Sequence, residues 1–217
     1  MKSTFLSLIF CLSAATCIAQ YNRTIAYQQI KDLKTGALVV RLKTNDKSVL
    51  AYRQSGRNEI ANRMVAERAI LNAKIISAFR AFFDYCPVYF IYTKHTDDLK
   101  AGKRGIFLND TLAVDTNIYI KENFYLLAEY GSVMANERVD EYHYRGVYTT
   151  KESSSVVGQS AIVMLDTSNA QLKEPFPFYE TVYLDKYDKA VEKFNRGLHK
   201  FYINSTVKQE IKKLKKG

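Results

Sequence analysis

Three polar side chains near the middle of the chain form the best-placed group for acid–base chemistry. His95, Asp97 and Asp98 follow directly after the apolar segment Val88–Thr93, which is typical of a buried strand. Ligands of open α/β sheets bind beyond the carboxyl ends of the strands, and an imidazole beside a carboxylate can act as a general base or contribute to a metal site. The same residues also have the composition of an ordinary helix start, where acids complement the helix dipole. On sequence alone both interpretations stay open.

A second group carries side chains that can bind metals, and its members are Glu137, Asp140, Glu141 and His143. The two glutamates would share a face only if the segment were helical. Catalytic zinc usually has three protein ligands, commonly with two histidines on one element as in H-E-x-x-H, and the three histidines of this chain are far apart. A solvated acidic loop is therefore the favoured interpretation, and we expect no cofactor.

The first 19 residues have the form of a cleaved secretory signal. An apolar run from Phe5 to Ala19 follows a lysine and ends in small residues, as such signals do. The run is shorter than the roughly 20 residues of a membrane span. We predict cleavage near Ala19, export to the periplasm or the medium, and no membrane span. Lipidation of Cys17 is the alternative, but the three residues before it lack the large aliphatic side chain of lipoprotein signals.

Cleavage at that point removes Cys11 and Cys17 and leaves Cys86 as the one thiol. A reactive thiolate needs a helix N-terminus or a nearby cation. Cys86 instead follows the end of a predicted helix, where the dipole disfavours negative charge. Its neighbours are aromatic, namely Phe82, Phe83, Tyr85 and Tyr89. The sequence therefore predicts an inert, buried thiol.

Basic residues are concentrated at the C-terminal end. Residues 186–217 contain ten Lys or Arg and three Asp or Glu, and the difference is +7 of the +10 net charge. Such an end can hold an anionic envelope surface or an acidic polymer, and no specific nucleic acid is expected. The predicted binding residues are Lys208, Lys212, Lys213, Lys215 and Lys216. The alternative is a solvated helix end whose lysines complement the dipole and aid solubility.

The elements that position these groups follow from hydrophobic periodicity and turn residues. Gly36–Lys43 is a β-branched apolar run that predicts a strand, and Asp46 can cap a short helix through about Gln54. From Asn58 to Phe83 apolar residues fall at helical spacing, and Phe82 is among those predicted on the buried face. A second strand at Val88–Thr93 completes a βαβ unit, whose two strands we expect to be parallel neighbours.

The second half of the chain is rich in strand-like segments. These segments are Gly105–Asn109, Phe124–Gly131, Tyr142–Thr150 and Ser160–Asp166. Leu172–Tyr179 holds two prolines and should be an edge or a connecting loop. From Tyr187 to Tyr202 the apolar spacing predicts an amphipathic helix, and Ser205 or Thr206 can cap a last basic helix or tail after it.

The length of 217 residues, with 47% hydrophobic and 25% charged residues, excludes a disordered or collagenous protein. The expected fold is α/β (or α+β), with a single mixed sheet, a long helix on one face and a C-terminal amphipathic helix. We expect one globular domain at residues 20–204 and a basic helix or tail at 205–217. The element order is also that of a thioredoxin-like fold. Because the Cys-x-x-Cys motif of its redox chemistry is missing, this likeness is an analogy of topology alone.

Several segments resemble a family of secreted Bacteroidetes proteins that carries no assigned function. The segments are LKTGALVVRLKT, FRAFFDYCPVYFIY, SAIVMLD, LKEPFPFY and FNRGLHKFY, and together they span roughly residues 33–202. The resemblance implies a shared fold and an exported location. It carries no catalytic signature, so no site residue transfers with it.

Motifs for nucleotide or serine-hydrolase chemistry are missing, since the sequence has no Walker loop, no G-x-G-x-x-G and no G-x-S-x-G. The expected function is therefore an exported, non-enzymatic binding or structural module of the cell envelope. The alternative is an exported hydrolase or metal-assisted enzyme that uses His95 with Asp97 or Asp98.

Overall fold

A five-stranded mixed sheet forms the centre of the computed structural model, which describes residues 23–134, 141–144, 147–150 and 158–214. The predicted leader, residues 1–19, lies outside them. The helices are α1 (residues 23–35), α2 (Asp46–Gln54), α3 (Asn58–Phe82), α4 (Thr96–Lys100) and α5 (Tyr187–Leu214). The strands are β1 (Ala37–Leu42), β2 (Val88–Tyr92), β3 (Tyr125–Ser132), β4 (Glu141–Tyr144), β5 (Val147–Thr150), β6 (Ser160–Leu165) and β7 (Tyr179–Thr181).

The sheet has the strand order β2-β1-β3-β6-β7, and β4 and β5 form a separate hairpin. The strands β2, β1 and β3 are parallel, and β6 and β7 continue the sheet in antiparallel pairs. Leu38 lies beside Val88 in the register of β1 and β2, so the predicted parallel pairing of these strands is confirmed. The expected α/β fold with one mixed sheet is likewise confirmed.

The long helix α3 packs on one face of this sheet through its apolar stripe. Ile75, Ala78 and Phe79 are buried. The ring of Phe79 packs edge to face against that of Phe90 in β2, with 6.3 Å between the ring centroids. The predicted burial of Phe82 is wrong, because this side chain is exposed. The helix ends there, and Phe83 has an extended backbone and is buried instead.

The short helix α2 has the predicted bounds but not the predicted cap. Asn45 occupies the N-cap position with a left-handed backbone, and no side chain caps the helix. Asp46 lies one residue later, in the first turn, where its charge still complements the helix dipole.

The predicted strand at Gly105–Asn109 is reduced to single bridges, at Phe107 with Ile91 and at Leu108 with Val114. The predicted strand-like segment Tyr142–Thr150 overlaps the antiparallel pair of β4 and β5, which begins one residue earlier, at Glu141. The proline-rich segment Leu172–Tyr179 connects β6 to the edge strand β7, as its missing N–H groups predict.

The C-terminal helix α5 is a single helix through Leu214. The predicted start of a separate helix at Ser205 or Thr206 is wrong, because both hydroxyls donate to the Tyr202 carbonyl within α5. Hydroxyls bonded back to the preceding turn are compatible with an unbroken helix. In the part of the chain that the structure describes, none of the helices has the combined length and apolar character of a membrane span.

Candidate functional site

The carboxyl edge of β1 and β3 is the topological switch point of the sheet. β1 leads through α3 to β2 on one side, whereas the chain continues from β3 to β6 on the other side. Open α/β sheets place their ligand crevices where neighbouring strands connect in opposite directions. At this edge Arg41 of β1 is the register partner of Glu129 of β3.

Arg41 joins three segments at this point. Its Nη2 donates to Glu129 Oε2 at 2.5 Å, and its Nη1 donates to Asn169 Oδ1 at 2.7 Å and to Thr96 Oγ1 at 3.4 Å. The Arg41 side chain is only 10% exposed and that of Glu129 is 21% exposed. The buried Nε of Arg41 has no hydrogen-bond acceptor among the described residues. Because each partner comes from a different segment, Arg41 holds β3, the turn after β6 and the start of α4 together.

Lys43 adds a second cation to this edge. Its Nζ lies 3.8 Å from Glu129 Oε1, and it is more exposed than Arg41. Gly131 leaves room for both groups, since a Cβ there would lie 3.1 Å from Glu129 Oε1 and 3.3 Å from Lys43 Nζ. This cluster was not among the predicted sites. Its signal is an arginine inside an otherwise apolar strand, because a charge in such a place requires a partner.

The structure brings two of the three predicted acid–base residues together. His95 Nδ1 lies 3.0 Å from Asp98 Oδ2, and Lys103 Nζ donates to Asp98 Oδ1 at 2.7 Å. These contacts, that of Lys103 first, lower the pKa of the Asp98 carboxyl. Asp97 is exposed in the first turn of α4. Asp98 therefore has a side-chain partner at each oxygen, the Lys103 ammonium at one and the His95 imidazole at the other. Thr96, the residue next to His95, contacts Arg41.

The predicted metal-binding group is only partly covered by the structure. Glu137 and Asp140 lie outside the described residues, and Glu141 and His143 lie on the strand β4 rather than on a helix. Because Glu141 lies in a strand, the helical face on which it would accompany Glu137 is not formed at this residue. Among the residues that the structure describes, no group of three or more His, Cys, Asp or Glu side chains could hold a metal ion.

Cys86 is buried at the junction between α3 and β2. Burial raises the pKa of its thiol to about 12, against a smaller opposing effect of Lys34. A thiol with a raised pKa is almost entirely protonated near neutral pH, and the thiolate is the nucleophile. The location of Cys86 therefore supports an inert thiol.

A polar cluster that the sequence analysis did not identify joins α5 to the end of α3. Asp84 Oδ1 accepts from Asn195 Nδ2 at 2.8 Å and lies 2.9 Å from His199 Nε2. The amide oxygen of Asn195 in turn accepts from the Tyr85 backbone N–H. The contacts to Asn195 and then His199 lower the pKa of Asp84. The cluster links the middle of α5 to the segment that follows α3.

The basic end of α5 follows directly after Ser205 along the helix. Val191, Phe194 and Leu198 are buried on one face of α5, and Ser205 is the last buried residue in the part of the helix whose side chains are described. The backbone stays helical for nine further residues, to Leu214, which is roughly 13 Å at the usual rise. The predicted binding residues Lys208, Lys212 and Lys213 lie on this extension, and Lys215 and Lys216 lie outside the described residues.

Comparison of the chain with models of protein families, with curated proteins and with solved structures finds no match.

Proposed function

We propose that the protein is an exported, non-enzymatic binding module of the cell envelope that engages an anionic surface through the basic end of α5. The observation that carries this proposal is the continuity of α5 from the core to Leu214. After Ser205 the sequence contains five lysines and one glutamate. Charges on a helix that continues from a packed core can meet a surface without the ordering of a flexible tail.

The burial and the existing partners of the candidate catalytic groups support a non-enzymatic role. The thiol of Cys86 is buried and has a raised pKa. Both carboxylate oxygens of Asp98 are already engaged by cations or imidazole. Arg41 and Glu129 neutralise each other at the switch point. These groups are better suited to holding segments in place than to turning over a substrate.

Heparin chromatography and binding to anionic vesicles test the proposal. We expect the triple variant Lys208→Gln, Lys212→Gln, Lys213→Gln to elute from heparin at clearly lower salt than the parent. The matched control neutralises three exposed lysines on other helices, Lys47, Lys74 and Lys100, and should elute close to the parent. Equal elution of the two variants would mean that only net charge matters, and the proposal would then be wrong.

The salt dependence gives a second readout. Attraction between exposed charges is screened as ionic strength rises, so retention and vesicle binding should both fall steeply with added salt. Removal of residues 206–217 should abolish them. Unchanged retention after this truncation would contradict a role for the basic end.

The second candidate is an exported hydrolase or metal-assisted enzyme that uses His95 with Asp98. The 3.0 Å separation of His95 Nδ1 and Asp98 Oδ2 favours it, since a carboxylate that orients an imidazole is a common arrangement in general-base catalysis. Hydrolysis of a panel of esters, phosphate esters and peptides by the parent, and its loss in His95→Gln with retained folding, would establish this candidate. No turnover by the parent would remove it.

A further inference from the structure

Two apolar side chains are exposed on α5 just before its basic end. Ile203 is 58% exposed and Val207 is 47% exposed. They are four residues apart, so they are neighbours on one face of the helix. Ser205, between them in sequence, is fully buried, which places the exposed pair on the side of α5 away from the protein body.

The sequence continues this apolar series along the helical extension. Positions 203, 207, 211 and 214 carry Ile, Val, Ile and Leu, and steps of four, four and three are the spacing of one helical face. The lysines after Ser205 fall at other positions of the helical repeat. An apolar stripe on a lysine-rich helix that is too polar to span a bilayer is the pattern of helices that lie in the membrane interface.

We propose that the end of α5 binds the surface of an anionic lipid bilayer, with Ile203 and Val207 inserted among the acyl chains near the headgroups. This inference rests on the proposed function and names its partner. The lysines supply attraction to anionic headgroups, and the apolar stripe supplies burial that an acidic polymer does not offer. The same helix in two copies would bring two clusters of net charge +4 together, five lysines minus one glutamate each, and like charges oppose such pairing.

The test uses the chain from Gln20 to Gly217, because the apolar leader would itself bind lipid. Binding is measured by co-sedimentation with vesicles of phosphatidylglycerol and phosphatidylcholine and, in parallel, by retention on heparin. The variant Ile203→Ser, Val207→Ser should bind these vesicles about tenfold more weakly and elute from heparin like the parent. The matched control Leu50→Ser, Ile70→Ser alters two apolar side chains of similar exposure, 56% and 59%, and should leave both readouts unchanged.

The outcomes separate the two proposals. Suppose that Lys208→Gln, Lys212→Gln, Lys213→Gln weakens both vesicle binding and heparin retention, whereas Ile203→Ser, Val207→Ser weakens neither. The partner is then recognised by charge alone, and the lipid inference is wrong. If the apolar variant instead converts a dimer into a monomer in light scattering without weakening vesicle binding, the stripe is a self-association surface and the inference is again wrong. If the lysine variant loses neither readout, the proposed function itself fails.

Discussion

Arg41 and Glu129 are register partners on neighbouring parallel strands, and the guanidinium of Arg41 donates to the Glu129 carboxylate across that pair. The two residues are far apart in sequence, and their pairing closes the switch point of the sheet. Both side chains are largely buried, so Arg41 depends on Glu129 to balance its charge, and Glu129 has only the more distant Lys43 as a second cation.

Replacement of Arg41 by Met should destabilise the protein by about 2 to 4 kcal/mol, because it leaves the largely buried carboxylate of Glu129 with only its longer contact to Lys43. The double variant Arg41→Met, Glu129→Leu should recover much of that loss, since it removes both charges. Urea unfolding of the two variants measures the difference. Equal loss in both would show that the ion pair itself does not account for the effect.

Gly36 should tolerate no side chain. A Cβ at Gly36 would lie against the Phe124 carbonyl oxygen and 2.7 Å from the Asp32 carbonyl oxygen, and both atoms belong to the backbone. We expect Gly36→Ala to cost about 3 kcal/mol or more, since overpacking against backbone cannot relax through a rotamer change. The control is Gly197→Ala in α5, where a Cβ meets open space. It should leave stability unchanged or raise it by up to about 1 kcal/mol.

The Cys86 thiol should resist alkylation in the folded protein. Its pKa is raised to about 12 from 9.0 by burial, which lowers the thiolate fraction near pH 8 by about a thousandfold relative to an ordinary thiol. Iodoacetamide labelling followed by mass spectrometry should be slow in buffer and fast in denaturant. Fast labelling of the folded chain would contradict a buried thiol. Cys86→Ser should lower stability without any effect on vesicle binding.

Acid should weaken the attachment of α5 through Asp84. The pKa of Asp84 is lowered from 3.8 in the folded state by Asn195 and then His199. A group with a depressed folded-state pKa contributes stability above its unfolded pKa, and this contribution is lost as pH falls through the folded value. The urea midpoint of the parent should therefore fall below about pH 4 more steeply than that of Asp84→Asn. Parallel pH profiles would contradict this linkage.

Processing of the amino terminus can be measured directly. We expect native material from the envelope or the medium to begin at Gln20, because the apolar run ends in small residues before it. Intact-mass spectrometry of the purified chain measures this. An intact leader would contradict both the predicted cleavage and the exported location, whereas a lipid on Cys17 would contradict cleavage after Ala19.

The sequence by itself determined where the main elements lie. β1, α2, α3, β2 and the start of α5 fall within a residue or two of their predicted bounds, because hydrophobic period and turn residues are local properties of the chain. It also located the excess of positive charge at the C-terminal end, because net charge follows directly from the residue types. Errors came at predicted helix boundaries, at Phe82, Asp46 and Ser205, and at the predicted strand Gly105–Asn109, which forms only single bridges. Element boundaries are the part of a structure that local pattern fixes least.

Only the tertiary structure decided which distant residues meet. β1 lies between β2 and β3, and this order brings Arg41 to Glu129 and Asn169, whereas the packing of α5 on α3 brings Asp84 to His199. Nothing in local periodicity encodes such pairs, because strand order and helix placement depend on how the whole core closes. For the same reason, the exposure of Ile203 and Val207 follows only from the packing of the opposite face of α5 against the body of the protein.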